Sequence, residues 1–212
     1  MKKILFLIHD LGQGGAEKVL VNLVNHMDNL KFDITVMTLF DCGENRQFLS
    51  PKIKYKTWCK KMIPGNSHLM KLLSPERLHN IIVKEKYDIE VAYLEGPCAR
   101  IISGCTDSSV KLISWIHIEQ RTTKKAAISF RSIREARECY EKFHKIICVS
   151  QTVKEDFINV LNINGADTIK KYKKASCLIS LAPLSQPGKN GAIMILIIVV
   201  INPIIKEINK AC

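Results

Sequence analysis

The side chains best suited to chemistry in this chain stand where apolar runs end. Lys2 to Ile8 leads into His9-Asp10 and then Gly12-Gln13-Gly14-Gly15-Ala16-Glu17-Lys18-Val19. Glycines between a buried strand and a helix remove side chains and leave unpaired backbone N–H groups, which favour an anion such as a phosphate or pyrophosphate. Asp41 follows Phe32 to Phe40, Glu95-Gly96 follows Ile89 to Leu94, His117 and Glu119 follow Val110 to Ile116, and Ser150 follows Lys145 to Val149. On structural grounds alone, His117 could simply be a strand-end histidine bonded to a neighbour, and Glu95 a cap on a helix starting at Pro97.

The Gly-rich turn departs from two common phosphate-binding patterns. A G-x-G-x-x-G dinucleotide fingerprint needs a small residue where Glu17 stands, and a P-loop needs Gly-Lys-Ser/Thr, which the chain lacks. Asp41 at the end of the second apolar run is where a ribose-binding acid would stand, so a nucleotide-dependent oxidoreductase is a distant alternative.

The elements that must position these residues alternate. Ala16, Val19, Leu20, Leu23, Val24 and Met27 recur at three- and four-residue spacing, an amphipathic helix after the first strand. Phe32 to Phe40 reads as a second strand and Ile53 to Trp58 as a shorter third. Ser74-Pro75 opens a helix with Leu78, Ile81 and Ile82 inside. Strands at Ile89 to Leu94, Val110 to Ile116 and Lys145 to Val149 are separated by helices near Pro97 to Ser103 and Lys125 to Phe143. This alternation predicts an α/β fold with a Rossmann-like, doubly wound, mostly parallel sheet. In such sheets ligands bind beyond the carboxyl ends of the strands, where the polar residues above fall.

With 212 residues, 47% hydrophobic and 25% charged, the chain is of ordinary globular composition, which excludes disordered and fibrous classes. No signal-peptide pattern opens it, and its eight cysteines form no Cys-x-x-Cys pair. Reduced, mostly buried thiols in a cytoplasmic protein are therefore expected, without metal or redox roles. The net charge of +12 includes an acid-free basic run, Lys52, Lys54, Lys56, Lys60 and Lys61, interleaved with Ile53, Tyr55 and Trp58. Such a mixture suits the anionic inner face of a cell membrane, or else is a solvated face. Arg131, Arg134, Arg137 and Lys142 alternate with Glu135, Glu138 and Glu141 as in a salt-bridged helix face, and no recognition motif for nucleic acid accompanies them.

Gly-Gly-Ala-Glu-Lys-Val resembles the turn after the first strand of family 4 glycosyltransferases of the GT-B architecture, where adjacent glycines admit the sugar donor's phosphates or the acceptor. Asp88 to Pro97, Ser114-Trp115-Ile116-His117 and Ile147 to Val153 are similar, in that order, to the N-terminal half of bacterial members that build surface polysaccharides. The resemblance runs from Met1 to about Asn164. It implies retaining transfer from a nucleotide sugar to a glycan or lipid-linked acceptor, without a catalytic metal or other cofactor, in a cleft between two Rossmann-like domains. It gives His117 a place beside the reacting sugar and Gly14 and Gly15 a place at phosphate or acceptor, while Glu95 and Ser150 are substrate-binding candidates from their places after strands, Glu95 toward acceptor hydroxyls. The family's second domain holds the donor with two glutamates eight positions apart, a spacing absent here. Residues 1–164 are thus expected to be the acceptor-side domain. The segment 165–212, with Lys170 to Lys174 and the apolar Ile193 to Ile201, is expected to be an atypical tail from a truncated or frame-shifted gene, leaving the chain inactive alone. A non-catalytic acceptor- or membrane-binding module of the same fold is the alternative.

Overall fold

The computed structural model describes residues 1–61, 70–161 and 176–177. Both faces of β1 (Lys2–Ile8) are buried, as its unbroken apolar run requires. Ile4, Phe6 and Ile8 enter one core, and Leu5 and Leu7 enter the other. Parallel neighbours follow in the order β3 (Lys54–Cys59), β2 (Phe32–Phe40), β1, β4 (Ile89–Ala92), β5 (Lys111–Ile116), β6 (Lys145–Cys148). A two-residue strand, β7 (Ser176–Cys177), extends this sheet beside β6. The register pairs Ile4 with both Ile34 and Ile89, so three β-branched side chains lie abreast across the sheet centre.

Helices divide between the faces. α1 (Gly15–His26) covers one face with Leu20, Val21, Leu23 and Val24. The other face takes α2 (Pro75–Ile82), α3 (Pro97–Ile102), the one-turn α4 (Thr123–Ala126), α5 (Ile133–Glu141) and α6 (Gln151–Val160). The sheet is doubly wound and all its pairings are parallel, so the expected fold class holds. Burial of Phe6, Tyr93, Trp115, Phe130 and Phe157 contributes on the order of 1.5–3 kcal/mol for each side chain removed from water.

Some boundaries differ from the expected ones. The helix expected over Lys125 to Phe143 is two. Thr122 caps the first by accepting from the Lys125 N–H, and Ser132 caps the second by accepting from the Glu135 N–H at 3.1 Å. Ser132 is the N-cap, and the Glu135 carboxylate accepts from the Arg131 N–H at 2.6 Å just before it, so both contacts restart the helix at this point. Val19 and Ile81, placed on inner stripes by spacing, are instead 43% and 42% exposed at the stripe edges. Ser74 caps α2 through the Arg77 N–H at 3.3 Å, with Pro75 at the first helical position. The expected boundary near 164 and the tail to Cys212 lie outside the described residues, apart from β7.

Candidate functional site

Strand order decides where a ligand can enter. After β1 the chain crosses to α1 on one face, and after β4 it crosses to α3 on the other, so the crevice opens between the carboxyl ends of these two neighbours. The Gly-rich turn lies at one wall, and Glu95, Gly96 and His117 at the other.

The turn is held by its own side chains and by the loop after β2. Asp10 Oδ1 accepts from the Gly12 N–H at 2.7 Å, while its Oδ2 lies 2.8 Å from His9 Nδ1. Leu11 exchanges main-chain bonds with Cys42 and Asn45, and the Asn45 amide donates to the Gly12 carbonyl. Gly43, at φ +113°, lets that loop approach closely, since a Cβ there would meet the Leu11 carbonyl carbon at 1.9 Å. Gly14 is the N-cap of α1 and supplies no side-chain cap. A Cβ on Gly15 would meet nothing within 4 Å, whereas one on Gly14 would strike the Glu17 carboxylate at 2.1 Å. Glu17 thus folds back over the first turn and occupies part of the space that the N–H groups offer an anion.

The second wall begins at Glu95. Its Oε2 accepts from the His117 N–H at 2.9 Å, so Glu95 braces the end of β5 and does not cap α3, whose N-cap is Gly96 at φ +71°. Burial pushes the Glu95 carboxyl up, partly offset by the His117 N–H. Burial likewise pushes the His117 imidazole down to about 4, against a weaker pull from the Tyr93 main chain. His117 is therefore neutral at pH 7. Its Nε2 is buried and has no hydrogen-bond partner among the described residues, and the same holds for Tyr93 Oη, Trp115 Nε1 and Ser114 Oγ. The His117 ring lies 5.0 Å from Tyr93 and stacks at 6.3 Å on Trp115. Trp115 and His117 share a face because they are two positions apart at the end of one strand.

Ser150 is accounted for as the N-cap of α6, its Oγ accepting from the Val153 N–H at 3.0 Å. It sits at the end of β6, two strands from the β1–β4 crevice. The structure thus brings Gly14, Gly15, Glu95 and His117 to the crevice and gives Ser150 a capping role at its flank. No three metal-ligating groups gather in this crevice among the described residues. Sequence reasoning missed Tyr93 and Trp115, whose polar atoms are unpartnered, because both read as strand core. It also missed Arg100, which is 1% exposed and donates to Glu135 at 3.0 and 3.2 Å, to Met70 O at 2.7 Å and to Leu73 O at 2.8 Å. Burial opposes the Glu135 charge, yet the Arg100 bonds hold its carboxyl below the usual range. Of the expected salt-bridged face, Arg134–Glu138 at 2.9 Å is present, while Lys142 pairs with Glu76 at 3.6 Å.

No curated protein matches the sequence significantly. Among solved structures, Anabaena Alr3699/HepE in complex with UDP and glucose matches at 18% identity and TM-score 0.48, over 76% of this chain and 41% of that one. HepE in complex with UDP matches at 18% and 0.47, over 74% and 40%. A ugt transferase from Siraitia grosvenorii in complex with UDP matches at 8% and 0.45, over 90% and 53%. The chain thus spans about half or less of each of these proteins. Residues 13–169 match the sequence profile described as Glycosyltransferase Family 4, three quarters of the whole, and the chain belongs to that family.

Proposed function

We propose that this domain is the acceptor-side half of a retaining glycosyltransferase that moves a sugar from a nucleotide donor to a glycan or lipid-linked acceptor of surface polysaccharide or glycolipid synthesis, without a catalytic metal. The observation that carries the reading is the unpartnered Nε2 of a neutral His117 at the carboxyl end of β5, the strand beside β4 at the crevice wall. A neutral imidazole there hydrogen-bonds a sugar hydroxyl without attracting a second anion. Glu95 sets its position through the main chain, and Gly15 leaves room for ligand atoms at the opposite wall. The Glu17 carboxylate over Gly14 disfavours a phosphate at that turn and favours uncharged acceptor hydroxyls. Most contacts to the departing nucleotide are then assigned to residues outside this domain, and the domain by itself is expected to turn over no nucleotide sugar.

Melting the purified chain with a series of nucleotide sugars and of neutral oligosaccharides tests the assignment. An upward shift with an oligosaccharide, lost in His117→Ala without loss of fold, supports it. Robust sugar transfer by the 212-residue chain would overturn the half-site reading, and no shift with any ligand would favour a remnant. The membrane face belongs to the same proposal. Lys54 is bonded to Asp33 at 2.6 Å and Lys56 to Glu85, which leaves Lys52, Lys60 and Lys61 as the exposed lysines of this run without an ion pair among the described residues. Neutralising these three should abolish salt-sensitive binding to anionic vesicles, and unchanged binding would make the run a solvated face. No helix among the described residues is long and apolar enough to cross a membrane.

A further inference from the structure

His79, Glu90 and Cys105 are far apart in sequence and come together at the end of the sheet opposite the cleft. α2 supplies His79, the second position of β4 supplies Glu90, and the turn after α3 supplies Cys105. Glu90 lies five residues before Glu95, about 15 Å away along an extended chain. One ligand-type atom from each residue lies within 4.8 Å of the others, with His79 Nε2 and Glu90 Oε2 at 2.8 Å. His79 is 8% exposed and Glu90 2%, while Cys105 is half-buried. The glycosyl-transfer chemistry proposed above uses none of the three. A buried ionisable pair gives little net stability over apolar residues of the same size, so stability of the metal-free fold does not account for it.

We propose that these three side chains form a binding site for a zinc-class divalent cation. The donor set is mixed nitrogen, oxygen and sulfur, which suits zinc and excludes the oxygen-rich shells of calcium and magnesium. Zinc ligands at about 2.0–2.3 Å from the metal stand roughly 3.3–3.6 Å from one another in a tetrahedron, so the trio reaches that spacing by shifts of about an ångström or less. Binding replaces the thiol proton and any proton on the imidazole, and both leave to solvent. The half-buried Cys105 edge gives the ion its entry path, and water completes the fourth position. The cation would tie α2, β4 and the turn after α3 together below the cleft, at the place where three separate elements meet.

Cobalt(II) is a spectroscopic stand-in for zinc. Titrating the chain, first treated with a chelator, should give a thiolate-to-cobalt charge-transfer band that saturates at one equivalent and is displaced by zinc, and zinc should raise the melting temperature. Cys105→Ser, shown to be folded by circular dichroism, should lose the band. His79→Asn should weaken cobalt by more than the roughly 10–100-fold that loss of an outer-shell partner costs. X-ray absorption on the wild-type zinc complex should show one sulfur among nitrogen and oxygen ligands, a readout that needs no variant. The assignment is overturned by the absence of a saturable band, by a band that survives in folded Cys105→Ser, or by a zinc shell without sulfur.

Discussion

Acidification should destabilise this domain through His117, and the size of the effect follows from its surroundings. The ring is held neutral in the folded state by burial, with a folded pKa of about 4 against an ordinary 6.5. Below pH 6.5 the unfolded chain takes up this proton and the folded chain does not, so stability falls as pH falls, with the full loss reached near pH 4. Between pH 7 and pH 5 the linkage amounts to about 2 kcal/mol, and the limit at low pH is about 3 kcal/mol. Other groups titrate over the same range, so the informative quantity is the difference between wild type and His117→Gln, which carries no titrating ring. Urea unfolding at pH 7, 6 and 5 measures it. The wild type should lose about 2 kcal/mol more than the variant over that span. Parallel curves, within about 0.5 kcal/mol, would mean that the imidazole is solvated or charged in the folded state, and the neutral hydrogen-bonding role drawn for it would fall with it.

Gly15→Ala should keep or raise stability by up to about 1 kcal/mol, because the Cβ enters open space at a helical position, while any melting shift induced by ligand shrinks. A variant that unfolds would show that the open space is occupied in solution. Gly43→Ala should cost more than about 3 kcal/mol in urea, since φ is +113° and the added atom meets the Leu11 main chain at 1.9 Å. Arg100→Ala should cost about 3–5 kcal/mol, as the Glu135 carboxylate and the Met70 and Leu73 carbonyls lose their donor together. A loss below about 1 kcal/mol would mean that water replaces the guanidinium.

The alternation of strands and helices was legible because each relies on local pattern. Two-faced apolar runs such as Ile4 to Ile8 can only be central parallel strands, and Ser74-Pro75 can hardly be other than a helix start. The break between α4 and α5 was harder to read, since Ser132 and Glu135 compete with a helical periodicity that runs through them. The site was legible only as far as topology fixes it. A doubly wound sheet brings strand ends together, so Gly14, Gly15, Glu95 and His117 could be named from their positions. What each does depends on contacts between distant segments. Glu95 stands just ahead of the Pro97 helix, where a carboxylate can reach the first turn, and only the 2.9 Å bond from the His117 N–H reassigns it to the neighbouring strand. Ser150 moves the other way, from ligand candidate to cap.

Tyr93 and Trp115, packed beside His117, show why part of such a site escapes a reading of periodicity. Tyr93 and Trp115 satisfy every rule for buried strand residues, and an apolar count scores them as core. Their chemistry lies in the polar atoms that the core leaves unpaired, Tyr93 Oη and Trp115 Nε1 alongside His117 Nε2. An unmade hydrogen bond on a buried donor or acceptor costs about 1–3 kcal/mol, and three on side chains packed ring to ring are a concentrated debt in an otherwise well-bonded fold. A polar ligand or residues beyond those described would relieve it. If a sugar does so, Tyr93→Phe and His117→Ala should weaken its binding while Tyr93→Phe leaves the fold as stable as before or more so, because the unpaired hydroxyl is removed. Loss of stability in Tyr93→Phe would instead identify a partner for that hydroxyl within the protein, and the ligand reading of the ring cluster would be wrong.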